Sequence, residues 1–184
     1  MSKKNQKTAR RLSAKELKRT VERFIKRYGL NLCLECGKCS SVCPMLNLYG
    51  EYLYDRCPRG VVERMSFESD RLEDEALWYC LTCDECSFFC PSGVDFKNFM
   101  MALRDYLIEH GLRGFAVFCP QCGVYLMPKK EFEHLVKDSG HIKTKDLLAE
   151  CARCKQKRYT ETLRRMAPVN RKGSSSAFNR NERS

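Results

Sequence analysis

Leu17, Val21, Phe24, Ile25 and Tyr28 recur at the three- and four-residue spacing of a helix, with charged residues between them. Ser13 can cap this helix, Glu16 completes a capping box, and Gly29 ends the run. Pro58 can open a second helix over Arg59–Phe67, and Leu72, Ala76, Leu77 and Trp78 suggest a third. A strong amphipathic helix follows Pro91, with Phe96, Phe99, Met100, Leu103, Leu107 and Ile108 on one side and Gly111 beyond its end. The pattern then changes. Phe115–Phe118 and Val124–Met127 read as short strands, a helix is expected near Lys145–Glu150, and Lys155–Met166 forms a basic helix stopped by Pro168. No apolar run approaches the ~20 residues that span a bilayer.

The polar positions carry the chemistry. Cys33, Cys36, Cys39 and Cys43 precede Pro44, and Cys80, Cys83, Cys86 and Cys90 precede Pro91. Both stretches read C-x2-C-x2-C-x3-C-P, a run that ligates [4Fe–4S] clusters and whose fourth cysteine serves the other cluster in two-cluster ferredoxins. The expected sets are Cys33, Cys36, Cys39 and Cys90 for cluster I, and Cys80, Cys83, Cys86 and Cys43 for cluster II. Helices before, between and after the motifs favour an α-helical ferredoxin over a β-sheet one. Trp78, Phe88, Phe89, Phe96, Phe99, Met100 and Met101 are expected to be core, shielding the clusters from water.

Cys119 and Cys122 stand in the knuckle sequence C-P-x-C-G, and Cys151 and Cys154 in a second C-x2-C. Four thiolates suit tetrahedral Zn2+ or a third [4Fe–4S] cluster, and the spacing leaves both open. His134 and His141 flank this loop and read as ordinary surface histidines. Cys57 stands outside every cysteine grouping and reads as inert.

The chain has 13 cysteines in 184 residues and no apolar segment at its basic N-terminus. Metal binding in a reducing cytoplasm is therefore expected, rather than disulfides in a secreted protein. The net charge of +11 is unevenly spread, with basic ends and an acidic middle. Such ends can bind nucleic acid or membrane surfaces, but no nucleic-acid module accompanies them, and docking on acidic partner subunits is the favoured reading. Four regions follow: a basic tail (1–12), a helical core (13–112), a tetracysteine unit (113–166) and a second basic tail (167–184).

The paired motifs, the segment Pro58-Arg59-Gly60-Val61-Val62 and Leu77-Trp78 resemble the C subunit of heterodisulfide reductase over about residues 13–112. Related modules occur in iron–sulfur subunits of glycerol-3-phosphate, glycolate and succinate dehydrogenases. The resemblance implies a mainly α fold: an α-helical ferredoxin with two [4Fe–4S] clusters, passing single electrons between an input and a catalytic subunit. The tetracysteine unit, a zinc-ribbon-like or cluster-binding α+β appendage, departs from that family. With it the chain also resembles the small electron-transfer partner of tungsten-containing oxidoreductases, including class II benzoyl-CoA reductase complexes. No active site beyond the clusters is visible. The alternative is a zinc-ribbon interaction or regulatory protein that binds nucleic acid through its basic ends.

Overall fold

The computed structural model describes residues 13–49, 54–67, 72, 74–138 and 142–166. The expected tails at 1–12 and 167–184, Pro168 and His141 lie outside these residues. Helix α1 runs Ala14–Arg27, and the Ser13 side chain accepts the Glu16 N–H at its start. Gly29 ends it with φ +71°, a left-handed turn that glycine adopts without a Cβ penalty. The chain then enters the first motif, which holds the one-turn helices α2 (Lys38–Ser41) and α3 (Met45–Tyr49).

Helix α4 (Pro58–Phe67) begins at the expected proline, and most of its first turns are buried. Gly60 is required there: a Cβ would lie 2.0 Å from the Tyr54 carbonyl oxygen. The helix expected around Leu72–Trp78 is instead a single 3₁₀ turn, Glu75–Trp78, whose start is set by Asp74, which accepts the Ala76 N–H. One-turn α5 (Glu85–Phe88) follows, and α6 (Phe96–Glu109) starts where Asp95 accepts the Asn98 N–H.

Val21 of α1, Val61 and Met65 of α4, Leu77 and Trp78, and Phe99, Met100, Leu103 and Leu107 of α6 form one buried core. Phe24 meets Tyr106 edge-on at 6.0 Å, joining α1 to α6. The mainly helical expectation is met. The aromatic assignment is met only in part: Trp78, Phe96, Phe99 and Met100 are buried, but Phe88 is 81% exposed and Phe89 and Met101 are also on the surface. The Cys86–Cys90 turn points Phe88 and Phe89 away from the core that α6 fills.

Beyond α6 the chain forms an antiparallel hairpin of β1 (Ala116–Phe118) and β2 (Tyr125–Pro128), pairing Ala116 with Pro128 and Phe118 with Tyr125 across an irregular register. Tyr125 stacks edge-on against Trp78 at 6.2 Å, seating the hairpin on the core. Helix α7 (Lys129–Asp138), not expected from the sequence, leads to α8 (Ile142–Leu148). Helix α9 (Ala152–Met166) begins three residues earlier than expected and contains Cys154 in its first turn.

Candidate metal centres

The two motifs repeat in backbone as well as sequence. Gly37 and Asp84, at matching positions, both lie in the left-handed region (φ +74° and +77°), as do Glu35 and Thr82 (φ +56° and +53°). From there each chain turns into a one-turn helix with the same hydrogen bonds: the Ser40 and Ser87 N–H groups donate to the carbonyls of Gly37 and Asp84, both at 3.0 Å. Glu35, Thr82 and Asp84 hold a conformation that L-residues seldom adopt, and such strain clusters at functional sites.

Cys43, Cys80, Cys83 and Cys86 line one pocket, walled by Pro44, Met45 and Phe96. The fourth cysteine of the first motif is thus brought to the first three of the second, the set expected for cluster II. Burial pushes the Cys86 thiol up to about 12 and raises Cys80, which the Arg104 guanidinium partly offsets. Thiols kept neutral by burial become good ligands once a cation enters to balance their charge, so this donor set fits an iron–sulfur cluster.

In the first motif, Cys39 is also raised, first by burial and then by its proximity to Cys57, Cys33 and Cys36. Cys90 is held low: burial acts upward but is outweighed by N–H groups of Val94, Ser92 and Gly93 aimed at its sulfur. The segment after Cys90 is tied to the head of the first motif, because the Asp95 N–H donates to the Tyr28 carbonyl at 3.0 Å. Cys36 and Cys83 reach the surface.

Two residues near these sites were not foreseen. Arg104 is buried at 4% exposure on the apolar face of α6, and donates to the carbonyls of Leu77 and Cys80 at 2.7 to 3.0 Å. Its position between Met100 and Leu107 at helical spacing was the available signal. Cys57, expected to be inert, is buried and holds local structure: it precedes α4, its carbonyl accepts the Val61 N–H, and its sulfur accepts the Gly60 N–H and the Ser40 hydroxyl. It acts as the helix cap, a place that serine would fill.

Cys119, Cys122, Cys151 and Cys154 come together with all four sulfurs within 4.8 Å of one another. The hairpin turn supplies the first two, closed by Gly123 at φ +72°. Cys151 caps α9, whose Lys155 N–H donates to its carbonyl, and the Cys154 N–H donates to its sulfur. The Cys151 N–H in turn donates to Cys119 Sγ at 3.5 Å, and this is the main influence holding the Cys119 thiol down to about 6. Cys154, hydrogen-bonded to Cys151, is pushed up to about 12. Four thiols this close cannot all ionise without a cation among them. His134 lies away from them, half-buried with its ring 5.7 Å from Tyr49.

Residues 4–94 match the 4Fe–4S dicluster domain family. The chain is an iron–sulfur protein. It is 29% identical over 97 residues to a protein of Archaeoglobus profundus that is itself like the heterodisulfide reductase C subunit, covering 51% of this chain and 50% of that protein. It is 33% identical over 103 residues to the C subunit of the ferredoxin:CoB-CoM heterodisulfide reductase of Methanosarcina acetivorans, covering 55% and 38%. With the glycolate oxidase iron–sulfur subunit of Escherichia coli it shares 34% identity over 79 residues, covering 41% and 19%. The chain spans half or less of the length of these relatives. Among the described residues, no helix is long and apolar enough to cross a membrane.

Proposed function

We propose that the chain is an electron-transfer subunit of an oxidoreductase complex, relaying single electrons between an input subunit resembling those of heterodisulfide reductase and a catalytic subunit. When bound, [4Fe–4S] clusters supply one-electron carriers. The single observation that carries this reading is the meeting of Cys43 with Cys80, Cys83 and Cys86 in one pocket, within a chain that matches the dicluster family. In this reading Cys33, Cys36, Cys39 and Cys90 hold the other cluster, tying the two motifs into one folding unit.

The surroundings suit that role. Trp78, Phe96, Phe99 and Met100 exclude water on the core side, and burial of this kind is one lever on cluster potential. On the opposite side Leu34, between Cys33 and Cys36, and Phe88, between Cys86 and Cys90, are 69% and 81% exposed. Exposed apolar side chains within the ligand runs offer each motif a surface for a docked partner. The relatives above include no tungsten enzyme by name, so the catalytic partner is proposed only as an oxidoreductase subunit.

The test is anaerobic purification of the full chain, followed by iron and sulfide analysis and an EPR-monitored reductive titration. Two low-potential one-electron steps from about eight iron per chain are expected. Iron well below that in an intact, oxygen-free sample, or no reducible signal, overturns the reading.

A further inference from the structure

The two halves of this molecule arrange cysteines on different scales. Among the described residues, Cys119, Cys122, Cys151 and Cys154 are the one group of metal-ligating side chains whose donor atoms all lie within 4.8 Å of one another. The eight cysteines of the paired motifs, all described, contain no such group. A single tetrahedral ion with metal–sulfur bonds near 2.3 Å holds its thiolates about 3.8 Å apart. A cubane holds its four thiolates at roughly 6 Å, since each projects outward from its own iron at a corner. Cys122 Sγ and Cys151 Sγ stand 3.6 Å apart, at the single-ion distance.

From this spacing we infer that the tetracysteine unit is a mononuclear zinc site and not a third [4Fe–4S] cluster. Four sulfurs already gathered to single-ion spacing would have to spread apart to admit a cube. The gathering is built into the backbone: the hairpin turn sets Cys119 and Cys122, while the cap and first turn of α9 set Cys151 and Cys154. N–H groups of Cys151 and Cys154 are aimed at the sulfurs of Cys119 and Cys151, as thiolate ligands require. Soft thiolates in tetrahedral array favour zinc over ferrous iron, which binds the same donors more weakly. Zinc has no redox chemistry of its own. The electron route therefore lies within the paired motifs, and the third site is a clamp that fastens the base of α9 to the hairpin.

The deciding experiment uses the full chain, purified without oxygen. Zinc, iron and sulfide are measured per polypeptide, and the zinc environment is read by X-ray absorption. One zinc surrounded by four sulfurs at about 2.3 Å is expected. The Cys154→Ser variant should lose zinc at least tenfold while keeping its iron and its EPR signals. Because α9 could loosen in that variant, absorption by the unmodified chain stands as an independent measurement. Iron near twelve per chain, one additional mononuclear iron, or an empty site in the unmodified chain each overturns the inference. Since zinc and cluster iron are counted separately, failure here leaves the electron-transfer reading standing, and loss of the clusters leaves this one standing.

Discussion

Arg59 beside the first motif and Arg104 beside the second are both buried guanidiniums, but they present different charges to their neighbours. Arg59 pairs with Glu35 at 3.0 Å and Glu63 at 3.6 Å, so its charge is largely offset before it reaches Cys33. Arg104 donates instead to the neutral carbonyls of Leu77 and Cys80, and its field falls on the Cys80 thiol. Two backbones that match turn for turn are thus set in unlike electrostatic surroundings. Positive charge near a cluster stabilises its reduced form, so the site served by Cys80, Cys83 and Cys86 should have the higher potential. Repeating a ligand motif supplies two equivalent cradles; a single guanidinium partner makes them unequal.

The strongest way to break the comparison is to remove a ligand that crosses from one motif to the other. Cys43→Ser should cost the second motif its cluster, lowering iron by about four per chain. Signals of the other cluster should persist. If the signals assigned to the first motif vanish instead, the ligands are not crossed. A comparably severe effect is expected of Gly60→Ala in the segment that links the motifs. Its Cβ would meet the Tyr54 carbonyl at 2.0 Å, and forcing that backbone apart should cost about 3 kcal/mol, read as a fall in melting temperature.

Arg104→Gln tests the electrostatic contrast itself. It should lower the potential of the second site by on the order of 100 mV, as expected for one charge a few ångströms away at an effective dielectric near 20. Replacing Arg59 together with its 3.0 Å partner Glu35 by glutamines should move the first site less, because the opposite charges of the pair largely cancel. Equal shifts would remove the distinction. Redox titration followed by EPR reads both.

The smallest effects concern the backbone that the motifs share. Gly37→Ala should cost about 1 kcal/mol, since the added Cβ meets nothing within 4 Å and only the left-handed conformation opposes it. Gly37→Asp, copying Asp84, should cost less. Cys57→Ser should leave stability and iron content within error, because serine caps a helix equally well. A change in cluster signals would instead make Cys57 a ligand.

Much of this was legible from side-chain chemistry. Ser13, Pro58 and the apolar stripe of α6 located their helices because caps, proline geometry and periodicity act locally. The paired motifs gave the cysteine groupings, and the meeting of Cys43 with the second motif fits the crossing expected from them. Helix α7 escaped notice although Phe132, Leu135 and Val136 carry its spacing, because three apolar positions among charged ones make a weak stripe beside the cysteine signal. The Leu72–Trp78 segment misled because its apolar residues look helical, while the Asp74 cap starts the element only at Glu75. Glu35 and Thr82 carry no sign of their left-handed backbone. Asp84 could have been read from Gly37 across the repeat. Arg104 was hidden because a cation in a helix is ordinarily taken for surface, and only its three-dimensional partners reveal why it is buried.

Helix α9 is exposed from Gln156 to Met166, and its cap Cys151 and first-turn Cys154 are two of the four clustered thiols. Its 15 residues make a rod about 22 Å long, with the tetrathiolate site at one end. Such a rod is a lever. A tilt of about 10° at that end would sweep the far tip through roughly 4 Å, carrying Arg164 and Arg165 with it. The arm would amplify small motions at its pivot, so the aim of those two charges depends on how stiffly the four-cysteine junction at its base resists bending.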